Sequence, residues 1–163
     1  MKHWILSLAL CLCGLLLLGG LCGRVEAATI VDSGSCGDDL RWVLDSEGVL
    51  TISGTGEIEC NMYSGNAPWY SRRLSIKRIV IENGATSIGS SVFDGCANLT
   101  SVTIPESVID IGSFAFQYCA SLSKVDIPNN VKNIGGSAFE GCTSLASINI
   151  PSGITNNTAD VGN

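Results

Sequence analysis

Histidine is almost missing from this chain. The single imidazole, His3, lies in the apolar N-terminal stretch, so residues 28–163 carry none. That removes the commonest general base and metal ligand, together with Ser/His and Cys/His nucleophile arrangements. No phosphate-binding glycine loop is present. The Gly54-x-Gly56 spacing is too common in turns to count as one. Charge is scarce, at 15% of residues, and beyond residue 27 it leans acidic, with seven basic against fourteen acidic side chains. Such a chain lacks the cations that neutralise phosphates, which argues against nucleic acid as a partner. It also lacks a basic amphipathic helix for a membrane surface. Its one basic cluster, Arg72, Arg73, Lys77 and Arg78, reads as a solvated face. Carboxylates remain, but Asp38 and Asp39, even with Asp32 as a calcium set, read as a solvated loop. Glu57 and Glu59 alternate on a strand and face water. The chain therefore reads as no enzyme, with no catalytic residue, cofactor or metal.

The one long apolar run is at the start. Lys2 and His3 precede Trp4–Leu18, glycines break the run, and Val25-Glu26-Ala27 offers small residues for cleavage. Residues 1–27 read as a secretory signal peptide cut after Ala27 or Ala28. The alternative is a membrane anchor, but the run falls short of the roughly 20 residues a span needs. The expected location is secreted or cell-surface, with no membrane attachment after cleavage. Cys11, Cys13 and Cys22 leave with this segment, and Cys36, Cys60, Cys96, Cys119 and Cys142 remain. An odd number leaves at least one thiol without a partner in the chain. Secretion permits a Cys36–Cys60 disulfide, and the spacing leaves that pairing open.

The rest is organised by repetition. Residues 101–123 read SVTIPESVIDIGSFAFQYCASLS and residues 124–146 read KVDIPNNVKNIGGSAFEGCTSLA. A copy at 76–100 precedes them and a partial copy at 147–163 follows. Ile81, Ile104, Ile127 and Ile150 share one position of a 23-residue period; so do Phe93, Phe116 and Phe139, and Cys96, Cys119 and Cys142. A fixed period of this size marks a solenoid whose repeats bury their apolar sides by stacking. Val102 and Ile104, then Val125 and Ile127, then Ile148 and Ile150 alternate with polar residues, as half-buried strands do. Pro105, Pro128 and Pro151 end those strands. Val108 and Ile111 turn the chain inward, and Gly112 and Gly135 allow the next bend. Ala115-Phe116 and Ala138-Phe139 are read as a short helical or 3₁₀ turn ending at the cysteine. The three cysteines, between Phe and Leu core positions, read as an internal ladder of buried thiols. The strand at Ser147–Ile150 is expected to form, and Thr155–Asn163 is expected to be loose.

Residues 28–75 do not repeat. Leu40–Leu44 and Val49–Ile52 flank a turn with Gly48, which reads as a β-hairpin. Trp69, Tyr70 and Leu74 are expected to pack against the first repeat. Solenoids need caps over their apolar ends, and this β-rich module fits that role. The alternative for Trp69 and Tyr70, with Tyr63, is an exposed aromatic platform for sugar.

The motif Leu99-x-x-Val102-x-Ile104-Pro105-x-x-Val108-x-x-Ile111-Gly112-x-x-Ala115-Phe116-x-x-Cys119-x-x-Leu122, repeated to Leu145, resembles the BspA-like leucine-rich-repeat family. The leader from Cys36-Gly37-Asp38 to Ala67-Pro68-Trp69-Tyr70 looks like the module that often precedes such repeats. The resemblance implies a leucine-rich-repeat solenoid with short parallel strands and little helix outside the signal segment. It also implies a bacterial or protist surface or secreted protein of a group linked to adhesion and host-protein binding. The expected function is non-catalytic protein binding through the strand face, where Thr103, Asp126 and Asn149 point outward and differ from copy to copy. The expected partner is an extracellular or host protein. Two alternatives stand beside it: glycan binding through Trp69 and Tyr70, and a truncated fragment of a larger surface protein. The sequence says nothing of oligomeric state.

Overall fold

A computed structural model describes residues 27–59 and 67–157. Residues 1–26 of the apolar leader, Cys60, Tyr63 and residues 158–163 lie outside the described residues.

Three antiparallel strands open the chain: β1 (Ile30–Ser35), β2 (Asp39–Asp45) and β3 (Val49–Ile58). Leu40, Trp42, Leu44, Leu50 and Ile52 alternate with exposed or half-buried residues, and the inward set is buried. The hairpin loop is closed by Asp45, whose Oδ1 accepts from the Glu47 and Val49 amides at 2.9 Å each. Gly48 has a φ of 85°, the left-handed value such a loop requires.

β3 is long enough to serve two sheets. Its first half pairs in parallel with β4 (Arg78–Ile81), and its end pairs in parallel with β5 (Ala85–Ile88). The corner between them is at Gly54, with a φ of 110°. A side chain there would also collide with the Asp39 carbonyl of β2.

Each repeat then adds one strand to each sheet. The first sheet grows through β6 (Ser101–Thr103) and β8 (Lys124–Val125). The second grows through β7 (Asp110–Ile111), β9 (Asn133–Ile134) and β10 (Asn156–Asn157). The 23-residue register holds throughout: Ile79 pairs with Val102, Val102 with Val125, and Ile88 with Ile111 and then Ile134. The expected inward turn at Val108–Ile111 is thus part of a second parallel sheet.

The third side of each coil has neither strand nor helix. The segment expected as a helical or 3₁₀ turn is a set of stacked turns, bonded between copies. Phe93 N–H donates to the Ala115 carbonyl at 2.9 Å, and Phe116 N–H to Ala138 at 2.8 Å. A backbone already bonded to its neighbour has no need of internal helical bonds. The only 3₁₀ helix among the described residues is Tyr70–Ser75.

The three sides enclose one core. Val102, Ile104, Val108, Ile111, Ala115, Phe116, Cys119 and Leu122 are all buried, and each has a buried counterpart in the copy before it. Phe93, Phe116 and Phe139 stack at 5.2 and 5.3 Å between centroids. Trp69 extends that column at 5.4 Å from Phe93.

Three expectations are corrected here. At 147–150 no strand forms; a single bridge joins Asp126 and Asn149. Thr155–Asn163 is expected to be loose, yet in its described part, 155–157, the Thr155 amide donates to the Lys132 carbonyl at 2.9 Å and β10 pairs with β9. The second sheet therefore carries the fourth copy further than the first does. Gly112 and Gly135 are also not turn glycines, since neither has a positive φ. A Cβ at either would run into the backbone of the preceding coil, at Ser90 and Ser113 respectively.

Candidate functional site

The outer face of the first sheet is a regular surface built from aligned rows of side chains. Parallel register places Thr51, Val80, Thr103 and Asp126 in one row across β3, β4, β6 and the residue following β8, with Asn149 bridged to Asp126. A second row runs through Val49, Arg78, Ser101 and Lys124. Thr103, Asp126 and Asn149 are exposed, as their place between inward-facing Val and Ile positions dictates. Lys124 and Asp126 form an ion pair at 2.7 Å, with side chains 74% and 81% exposed. At that exposure the pair is screened and weak, so both charges stay available to a partner.

Trp69 and Tyr70 do not form a platform. Trp69 is 1% exposed, and its Nε1–H donates to the Val92 carbonyl at 3.0 Å. Its ring stacks on Phe93 and meets Trp42 edge-on. Tyr70 is at the surface, but the Arg73 guanidinium lies over its ring, 4.1 Å from the centroid. Trp69 is taken inward because its ring fills the phenylalanine column one coil before the first full repeat. Tyr63 lies outside the described residues.

Two of the four residues of the basic cluster are engaged. Arg72 pairs with Asp32 at 3.3 Å, and Arg73 N–H also donates to the Tyr70 carbonyl at 3.1 Å. Asp38, Asp39, Glu57 and Glu59 line a shallow depression beside Gly37 and Gly56. Among the described residues no group of three or more acidic, Cys or His side chains is placed to hold a metal ion.

The thiol ladder is present. Cys96, Cys119 and Cys142 are buried and free. The Cys119 thiol donates to the Phe93 carbonyl at 3.3 Å and the Cys142 thiol to Phe116 at 3.2 Å. Burial pushes Cys96 and Cys36 up to about 12, so neither is a reactive thiolate near neutrality. Cys36 is likewise buried and free, while Cys60 lies outside the described residues.

Two surface residues escaped the sequence reading. Phe114 and Tyr118 are 41% and 56% exposed on the stacked-turn side. Their signal was in the repeat itself: Phe114 stands where the flanking copies have Ser91 and Ser137, and Tyr118 where they have Gly95 and Gly141.

The periodic core, the two parallel sheets and the proline-terminated strands meet their match in a known pattern. The BspA type leucine rich repeat region matches residues 66–161 in six copies. This chain belongs to that family. A leucine-rich repeat protein from Eubacterium ventriosum is similar at 34% identity and a TM-score of 0.69, over 80% of this chain and 34% of that one. The leucine-rich repeat protein of T. pallidum has 21% identity and a TM-score of 0.53, over 74% and 60% of the two chains. A leucine rich cell surface protein from Faecalibacterium prausnitzii has 24% identity and a TM-score of 0.50, over 80% and 38%. The last two share the fold alone. The chain spans about a third of the E. ventriosum protein, 34% of its length. No curated protein matches it.

Proposed function

We propose that this BspA-type repeat chain is a non-catalytic interaction protein, secreted or held at the cell surface, that binds an extracellular or host protein through the outer face of the first sheet. The observation that carries this reading is the exposed polar row Thr103, Asp126 and Asn149, set on a repeating backbone and changing residue at each copy. Solenoids present extended surfaces of this kind, and recognition is written in the outward positions while the inward ones stay uniform. The leucine-rich-repeat family, a fold neighbour described as a cell surface protein and the apolar leader at 1–27 support the same reading. The dispersal of polar side chains over an open face, with no imidazole beyond His3, supports a non-catalytic role.

The test is capture by the purified, folded chain from a panel of extracellular matrix and serum proteins. At least one should be retained, and Asp126→Lys combined with Thr103→Arg should weaken retention about tenfold or more at unchanged circular dichroism, the scale of losing one central contact. Capture of nothing by the folded chain, or full capture by the double variant, would sink the reading.

A further inference from the structure

Phe114 and Tyr118 share an anomaly that no other exposed pair among the described residues has. Both have left-handed backbones, with φ of 59° and 54°. The turn itself demands this, because Ser91 and Ser137 are left-handed at the first position, and Gly95 and Gly141 at the second. The flanking copies meet the demand with a small residue or a glycine. The middle copy places two large aromatic residues there, a costly choice for such a backbone.

That choice serves no core. Phe116, between them, carries the packing of this segment and is fully buried, whereas the two flanking rings are at the surface. The next coil makes room for one of them: a Cβ on Gly141 would lie 2.5 Å from Tyr118 Cδ1. The tyrosine ring therefore rests on the Gly141 backbone, supported from beneath and open above. In the same two turns Gln117 Nε2–H donates to Glu140 Oε2 at 3.0 Å, a part-buried pair with further amide and carboxylate hydrogen-bonding capacity.

We propose that Phe114 and Tyr118 form a binding site for a neutral saccharide chain. A supported flat ring offers a π-face to the C–H face of a sugar, and an adjacent amide–carboxylate pair offers partners for its hydroxyls. The surroundings favour a sugar over a protein. The positions one coil away hold only Ser91, Ser137, Gly95 and Gly141, too small to supply the rim that a protein hot spot uses to exclude water. Charge selects a neutral sugar over a sulfated or sialylated one. Glu140 is anionic, and Arg73, whose side chain flanks Gly95, is engaged with the Tyr70 ring. This site lies on the stacked-turn side, apart from the strand face, so either can fail without the other.

Affinity gel electrophoresis of the full chain in soluble β-glucan, mannan and xylan, with heparin as the polyanionic comparison, tests the assignment. Retardation is expected in at least one neutral polysaccharide. Tyr118→Gly and Phe114→Ser install the residues of the flanking copies. Each should reduce retardation about two- to tenfold, the scale of one lost aromatic stacking contact, while the melting temperature holds or rises. No retardation in any of the three, retardation in heparin alone, or undiminished retardation of the double variant overturns the site. Capture of protein partners, scored in parallel, reports on the strand face separately.

Discussion

Tyr118 shows how much a single position can say. A left-handed backbone costs a residue with a Cβ about 1–2 kcal/mol, so Tyr118→Gly should stabilise the chain by about 1 kcal/mol, read as a higher urea midpoint at constant slope. Cys96 makes a second residue-scale prediction. Its pKa is raised by burial from 9.0 to about 12, so the folded state holds this proton more tightly than the unfolded state does. The stability it contributes is fully present below pH 9 and is lost as pH climbs from about 9 towards 12. Melting temperature should fall across that window, and Cys96→Ala should flatten the fall; an equal slope in the variant would refute the cause. The thiol ladder was legible in the sequence because Cys96, Cys119 and Cys142 share one position between core residues. The true reason for Gly112 and Gly135 was not. A glycine that bends the chain and one that admits a neighbouring backbone look alike until the neighbour is placed.

The elements differ in how visible they were. The β2–β3 hairpin follows from alternation around Gly48, and β6 and β8 follow from Val-x-Ile-Pro. The second sheet has strands of only two residues at β7 and β9, too short for any period to register. They exist because neighbouring coils supply their hydrogen bonds, as in Gly112 N–H to the Ile88 carbonyl at 2.7 Å. Gly135→Ala should force the coils apart at that sheet, costing about 1–3 kcal/mol by overpacking. Faster amide exchange at Gly135 and Ile134 than at Val125 would show that the damage is local to the second sheet. Phe116→Ala, which removes the middle ring of the aromatic column, should cost about 3–5 kcal/mol by denaturant unfolding.

For the whole molecule, the N-terminal strands and Trp69 close one end of the stack. Without a cap the first repeat would present an open sheet edge and an apolar end. Trp69→Ala should therefore lower stability by about 3–5 kcal/mol, with far-ultraviolet and near-ultraviolet transitions moving together. A variant that kept full stability would remove Trp69 from the core.

The 23-residue period by itself determined that coils stack in register, which side chains meet in the core, and that Thr103, Asp126 and Asn149 face outward. Repetition constrains these because each copy sees nearly the same neighbours. Tertiary structure decided what a linear pattern cannot carry. It formed a second sheet from strands without periodicity, buried Trp69 instead of displaying it, and put Phe114 and Tyr118 at the surface. In each case the deciding physics lies between residues about one coil apart, where backbone approach and burial are set only once the coils are stacked.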